Sequence, residues 1–168
     1  MRLSRVSFLM DKLTTQVTQS YLMTVYYALF HSHLLYGLLA WGHSPHCEKV
    51  LLMQKRVIRK ITGSHFLKHC RPLFRRLGVL TVYSQYILLS LLYVKENLHQ
   101  FQTRGEEHNY NLRNKEDINK PYCRLTKKKD CFPVLGLTIF NHLPVDIRNQ
   151  DKKNSKKDDR MSQRKMLL

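Results

Sequence analysis

Acidic residues are scarce in this 168-residue chain, with twelve Asp and Glu against twenty-nine Lys and Arg and a formal charge of +17. Such an excess says nothing about fold, but it favours a polyanionic partner such as nucleic acid or an anionic membrane. Glycine is scarce too, at six residues, and none of them builds a phosphate-cradling loop or a Gly-x-Ser-x-Gly turn. The four cysteines, Cys47, Cys70, Cys123 and Cys131, contain no C-x-x-C pair and read as no disulfide framework. Residues 1–10 lack the unbroken apolar core of a signal peptide, because Ser4 and Ser7 interrupt it. The expected setting is therefore intracellular and reducing, cytoplasmic or nuclear.

Carboxylates arranged for metal-dependent chemistry on nucleic acid are not apparent either. The pair Asp158–Asp159 sits between Lys157 and Arg160 in a charged tail, where nothing would fix its geometry. His65, His69 and Cys70, with Cys47 or His43, form a histidine-cysteine group, but their spacing matches neither a zinc knuckle nor a finger. The expectation is a non-enzymatic chain with no catalytic residue, metal site or cofactor of its own, and no small-molecule substrate.

What the chain does have is apolar residue, 43% of it, which suits one medium domain beside a basic tail or a piece cut from something larger. Mean hydropathy of −0.41 speaks against a multi-span membrane protein. The 18-residue run 77–94 is free of charge and long enough to cross a bilayer, yet it carries Thr81, Ser84, Gln85, Ser90 and three tyrosines. It reads instead as a buried helix from Thr81 to about Leu98 with Thr81 as cap, and no membrane partner is expected. A second uncharged stretch, Leu13 to Cys47, predicts a helix from Gln19 to Leu39, with lone Trp41 beyond it as a core anchor.

The charge is concentrated. From Lys49 to Lys95 there are ten basic residues and no acidic one. Between Pro45 and Gly63 the apolar positions Val50, Leu51, Val57, Ile58 and Ile61 recur at helical spacing, with Lys49, Lys55, Arg56, Arg59 and Lys60 falling mostly between them. Ser44 and Pro45 supply start signals and Gly63 a stop. A shorter helix is expected over Pro72–Leu77, closed by Gly78 and carrying Arg71, Arg75 and Arg76. These eight basic residues are the candidate phosphate contacts, which would give affinity without sequence choice.

The fold expected is mainly α: a bundle of four to five helices over 1–102, a loop-rich segment over 103–148 and a disordered basic tail over 149–168. Within the loop-rich part only Val134–Leu143 is apolar enough for a strand or a short helix.

Several segments resemble one family in order. They are residues 5–13 (RVSFLMDKL), 26–42 (YYALFHSHLLYGLLAWG), 52–59 (LMQKRVIR), 69–82 (HCRPLFRRLGVLTV), 108–113 (HNYNLR) and 136–144 (GLTIFNHLP). Together they resemble the carboxy-terminal part of a jockey-like non-LTR retrotransposon reverse transcriptase. Leu112 stands where the family pattern has threonine, and residues 151–168 have no counterpart in it.

The resemblance implies the thumb and the segment after it, a helical region that grips template–primer duplex by its backbone. It implies that the family's metal-binding aspartates belong to a palm upstream of Met1, so that divalent metal is expected only there. The implied partners are an RNA/DNA template–primer and that palm. The alternatives for the chain are a carboxy-terminal piece of a longer, active RNA-directed DNA polymerase, or an unfolded transposon remnant without function.

Overall fold

The computed structural model describes residues 2–107 and 114–148. The resembling segment at 108–113, the tail expected at 149–168 and the pair Asp158–Asp159 lie outside the described residues. Among those described the fold is mainly α, with one isolated antiparallel bridge, Thr103 to Ile118, and no strand. Two compact units meet in the chain at Gln85/Tyr86, inside a helix, whereas the composition changes only near residue 103.

The first unit begins with α1 (Arg2–Leu13), whose Val6 and Met10, one helical turn apart, are buried. The serines that break up its apolar sequence lie outside the buried pair, so a narrow stripe suffices to dock it. It packs on α5 (Cys47–Ile61), which turns Cys47, Gln54, Val57, Ile58 and Ile61 inward. The start signals sit two residues early: Ser44 Oγ accepts the His46 N–H at 3.3 Å in a turn that precedes the helix. Gly63 ends it with φ +58°, a conformation that favours glycine.

The single helix expected over Gln19–Leu39 is instead a composite. It comprises α2 (Gln19–Val25), a π-helical turn over Tyr26–His31, and α3 (Ser32–Leu35). Leu22, Tyr26, Phe30 and Leu34 follow one another at i+4 along the buried side. The helix stops at Tyr36 because Gly37 turns left-handed, φ +62°, before α4 (Leu38–Trp41). Trp41 is half-buried rather than a core anchor, and its indole N–H donates to the Tyr36 carbonyl at 2.9 Å. That bond satisfies an acceptor released where the helix breaks.

α6 (Arg71–Leu77) buries Leu73 and Phe74, packs on α5 and ends at left-handed Gly78. α7 (Val82–Glu96) starts where its cap was expected, the Thr81 Oγ1 accepting the Ser84 N–H at 3.3 Å. No single described helix is long and apolar enough to cross a membrane; α6 and α7 would reach that length only as a pair bent by 53°.

In the second unit, Leu91 and Val94 of α7 cluster with Ile118 and with Leu137 and Phe140 of α10 (Val134–His142). The strand-or-helix segment at 134–143 is thus helical. Gly136 lets α10 approach α7 closely: a Cβ there would lie 3.2 Å from Val94 Cγ2 and 3.3 Å from the Ser90 carbonyl oxygen. Short helices α8 (Arg104–Glu107), α9 (Thr126–Lys129) and α11 (Val145–Arg148) punctuate the rest.

A polar clamp holds Ile118 to α10. The Asn141 side chain donates to the Ile118 carbonyl at 2.9 Å and accepts its N–H at 3.1 Å, filling both backbone valences as a β-partner would. Arg148 closes the arrangement through Asp117 at 3.1 Å, the Leu143 carbonyl at 2.8 Å and the Asn141 carbonyl.

Candidate nucleic-acid interface

All eight candidate phosphate contacts lie in the first unit, on the two helices α5 and α6. Helical periodicity decides the display on α5. With the buried positions 47, 54, 57, 58 and 61 on one side, Lys49, Leu52, Arg56 and Arg59 form a stripe at i, i+3, i+7, i+10 on the opposite side. Lys49 and Arg56 are exposed, Lys55 and Arg59 half-buried, and Leu52 is 48% exposed in the middle of the stripe. On α6, Arg71, Arg75 and Arg76 are all exposed while Leu73 and Phe74 point inward.

Two of the eight hold the fold together. Lys60 donates to the Ser7 carbonyl and the Ser7 hydroxyl, each at 3.2 Å, and pairs with Asp11, all on α1. Its counter-charge comes from outside the acid-free block, so contact spacing within the sequence could not reveal it. Arg59 donates from Nε to the Lys68 carbonyl at 3.0 Å, tying α5 to the loop that leads into α6. Among the described residues no carboxylate forms an ion pair with Lys49, Lys55, Arg56, Arg59, Arg71, Arg75 or Arg76. Like charges held on neighbouring helices without counter-ions repel, and an approaching polyanion relieves that repulsion.

The loop between the helices is itself ordered by short-range bonds. The Ser64 N–H donates to the Arg59 carbonyl at 2.9 Å, and Thr62 Oγ1 to Ser64 Oγ at 3.0 Å. A tight turn follows, with the Lys68 N–H on the His65 carbonyl at 3.0 Å. Cys70 is buried, its thiol 3.8 Å from the Lys55 carbonyl.

His65 and His69 are exposed and accept local backbone N–H groups, from Leu67 at 3.4 Å and Arg71 at 3.3 Å. They sit in the loop instead of on one helical face, and no group of three or more metal-ligating side chains is assembled among the described residues. Adjacent acids occur at Glu106–Glu107 and Glu116–Asp117; in the second unit Glu106 accepts the Thr103 N–H, Glu107 meets Asn119, and Asp117 pairs with Arg148.

Behind the basic face lies one buried polar residue that periodicity alone would class as an interruption. Gln54 is fully buried, its amide donating to Tyr26 Oη at 3.0 Å and to the Leu80 carbonyl at 2.9 Å, while Oε1 accepts the Val82 N–H at 3.0 Å. It thereby caps the start of α7 from another helix and fixes α5 against the π-helical turn. Burial pushes the Tyr26 phenol up to about 12, against a smaller opposing effect of the Gln54 hydrogen bond. The only sequence signal was a glutamine at a position the helical spacing points inward.

Comparison with protein-family models, curated proteins and solved structures yields no match.

Proposed function

We propose that the first unit is a nucleic-acid-binding module that holds duplex or RNA–DNA hybrid through its phosphates, in the manner of a reverse-transcriptase thumb. The observation that carries this reading is the pair of helices α5 and α6, which display seven basic side chains without an acidic partner. Phosphate recognition needs donors and positive charge on a rigid support, and both helices are anchored by buried residues from Cys47 to Phe74. The ordered resemblance to the carboxy-terminal part of a non-LTR retrotransposon reverse transcriptase supports the same role. On that reading the chain performs no chemistry alone, and the polymerase aspartates belong to a palm elsewhere in the parent protein.

The charge split sharpens the site. The residues assigned to phosphate contact are Lys49, Lys55, Arg56, Arg71, Arg75 and Arg76, with Arg59 contributing beyond its structural bond and Lys60 serving the α1–α5 contact. Fluorescence anisotropy with a labelled RNA–DNA hybrid tests this. Neutralising Lys49, Arg56, Arg71 and Arg75 to Gln is expected to weaken binding at least tenfold without altering the helical circular dichroism spectrum. Unchanged affinity would remove the assignment.

A further inference from the structure

The loop between α5 and α6 shows two large apolar side chains to solvent at its tip. Phe66 is 70% exposed and Leu67 74% exposed, between His65 and Lys68. They occupy the two central positions of the turn closed by the Lys68 N–H on the His65 carbonyl. Both ends of that turn are fixed: Arg59 holds the Lys68 carbonyl, Ser64 bonds back to α5, and Cys70 is buried beside the Lys55 carbonyl. The His65 ring lies 4.5 Å from the Phe66 ring, tilted by 44°.

A collapsed apolar pair would have hidden itself; this one is held in water at a cost that scales with its exposed area. Around it in the chain stand Arg59, Lys68 and Arg71, with His65 and His69, and no acid. An anionic ligand with flat apolar faces fits that combination, and nucleobases on a phosphate backbone have both properties.

We propose that Phe66 and Leu67 form a base-contacting tip, Phe66 stacking on an unpaired or terminal base while α5 and α6 hold the flanking phosphates. The stack would be sequence-tolerant, because every base offers a π-face. This rests on the nucleic-acid reading of the unit and adds to it a preference for ends and junctions over closed duplex.

The test uses the full chain and two hybrid ligands of equal duplex length, one closed by linkers at both ends and one with a four-nucleotide single-stranded overhang. The wild type is expected to bind the overhang ligand about tenfold more tightly, which is the scale of one base–aromatic stack. Phe66→Ala should abolish the preference and leave the salt dependence unchanged, whereas Phe66→Trp should keep it. Equal affinity of the wild type for both ligands overturns the tip and leaves the phosphate reading intact. A preference that survives Phe66→Ala also overturns it, as does a loss of binding on Phe66→Ala confined to phosphatidylserine vesicles, which would make the partner a membrane. Absence of binding to either hybrid by the folded wild type refutes the phosphate reading itself, and this proposal with it.

Discussion

Replacing Gln54 by leucine tests how the basic helix is held in place. The substitution keeps most of the side-chain volume but removes three hydrogen bonds, to Tyr26 Oη, to the Leu80 carbonyl and from the Val82 N–H. Leu80 is half-buried and its carbonyl can turn to water, so it adds little. Val82 is fully buried, and its orphaned N–H carries the full desolvation penalty. A buried unsatisfied group costs about 1–3 kcal/mol, so with the lost Tyr26 bond the variant should be less stable by about 3 kcal/mol. Gln54→Ala should cost about 2–5 kcal/mol more, through the cavity it leaves. Against a domain stability of roughly 5–15 kcal/mol either loss is large.

Urea unfolding followed by fluorescence of Trp41, the one tryptophan and a residue of the first unit, reads the change. With a urea slope near ~1.5 kcal/mol per molar, the midpoint of Gln54→Leu should fall by about 2 M with the slope unchanged. Tyr26→Phe should cost about 1 kcal/mol alone and almost nothing when Gln54 is already leucine, since the shared bond is gone. A Gln54→Leu midpoint indistinguishable from wild type, or strictly additive losses, would refute the reasoning.

Alkaline pH tests the burial of the Tyr26 phenol, the larger cause of its raised pKa. Tyr26 keeps its proton in the folded chain up to about pH 12, whereas the unfolded chain releases it near 10, so the unfolded state binds fewer protons in between and stability falls as pH rises through that window. The loss should approach about 2–3 kcal/mol and shrink in Tyr26→Phe, as followed by urea midpoints at stepped pH. In the second unit, Gly136→Ala should destabilise by about 1–3 kcal/mol despite the better helix propensity of alanine, because the added methyl meets Val94 and Ser90; a thermal melt with a raised midpoint would contradict that. Asn141→Ala should expose the Ile118 amide, raising its hydrogen-exchange rate by about tenfold or more, and unchanged protection would dissolve the clamp.

The helices that face solvent on one side were readable from periodicity. The ends of α5 and α6 and the start of α7 fall close to where Ser44, Pro45, Gly63, Pro72, Gly78 and Thr81 place them, because these residues act locally. α7, which its lack of charge makes a buried helix in the sequence, instead shows Tyr83, Ile87, Leu92 and Tyr93 to solvent. Long-range pairings were not readable in this way. Lys60, a candidate phosphate contact by its place on the basic helix, pairs with Asp11, forty-nine residues earlier in the chain. Gln54 stands at an inward position of α5, yet nothing in the sequence shows that its amide satisfies groups on two other segments. The helix expected to reach Leu39 stops at Gly37, whose left-handed backbone the apolar pattern did not register. Phe66 and Leu67 were likewise invisible as a tip, since hydrophobic residues in a sequence suggest burial and only coordinates reveal exposure.

The phosphate-binding account is tested most directly by the slope of log affinity against log salt for a labelled RNA–DNA hybrid. Six or seven basic contacts predict a slope of about −5.5 to −6 for the wild type, from the release of roughly 0.9 counterion per phosphate on B-DNA. Reversing Lys49, Arg56, Arg71 and Arg75 to Glu should bring the slope close to zero and all but abolish binding at ~150 mM salt. A flat wild-type response, or a variant that binds with the wild-type slope, would contradict the assignment of this face to nucleic acid.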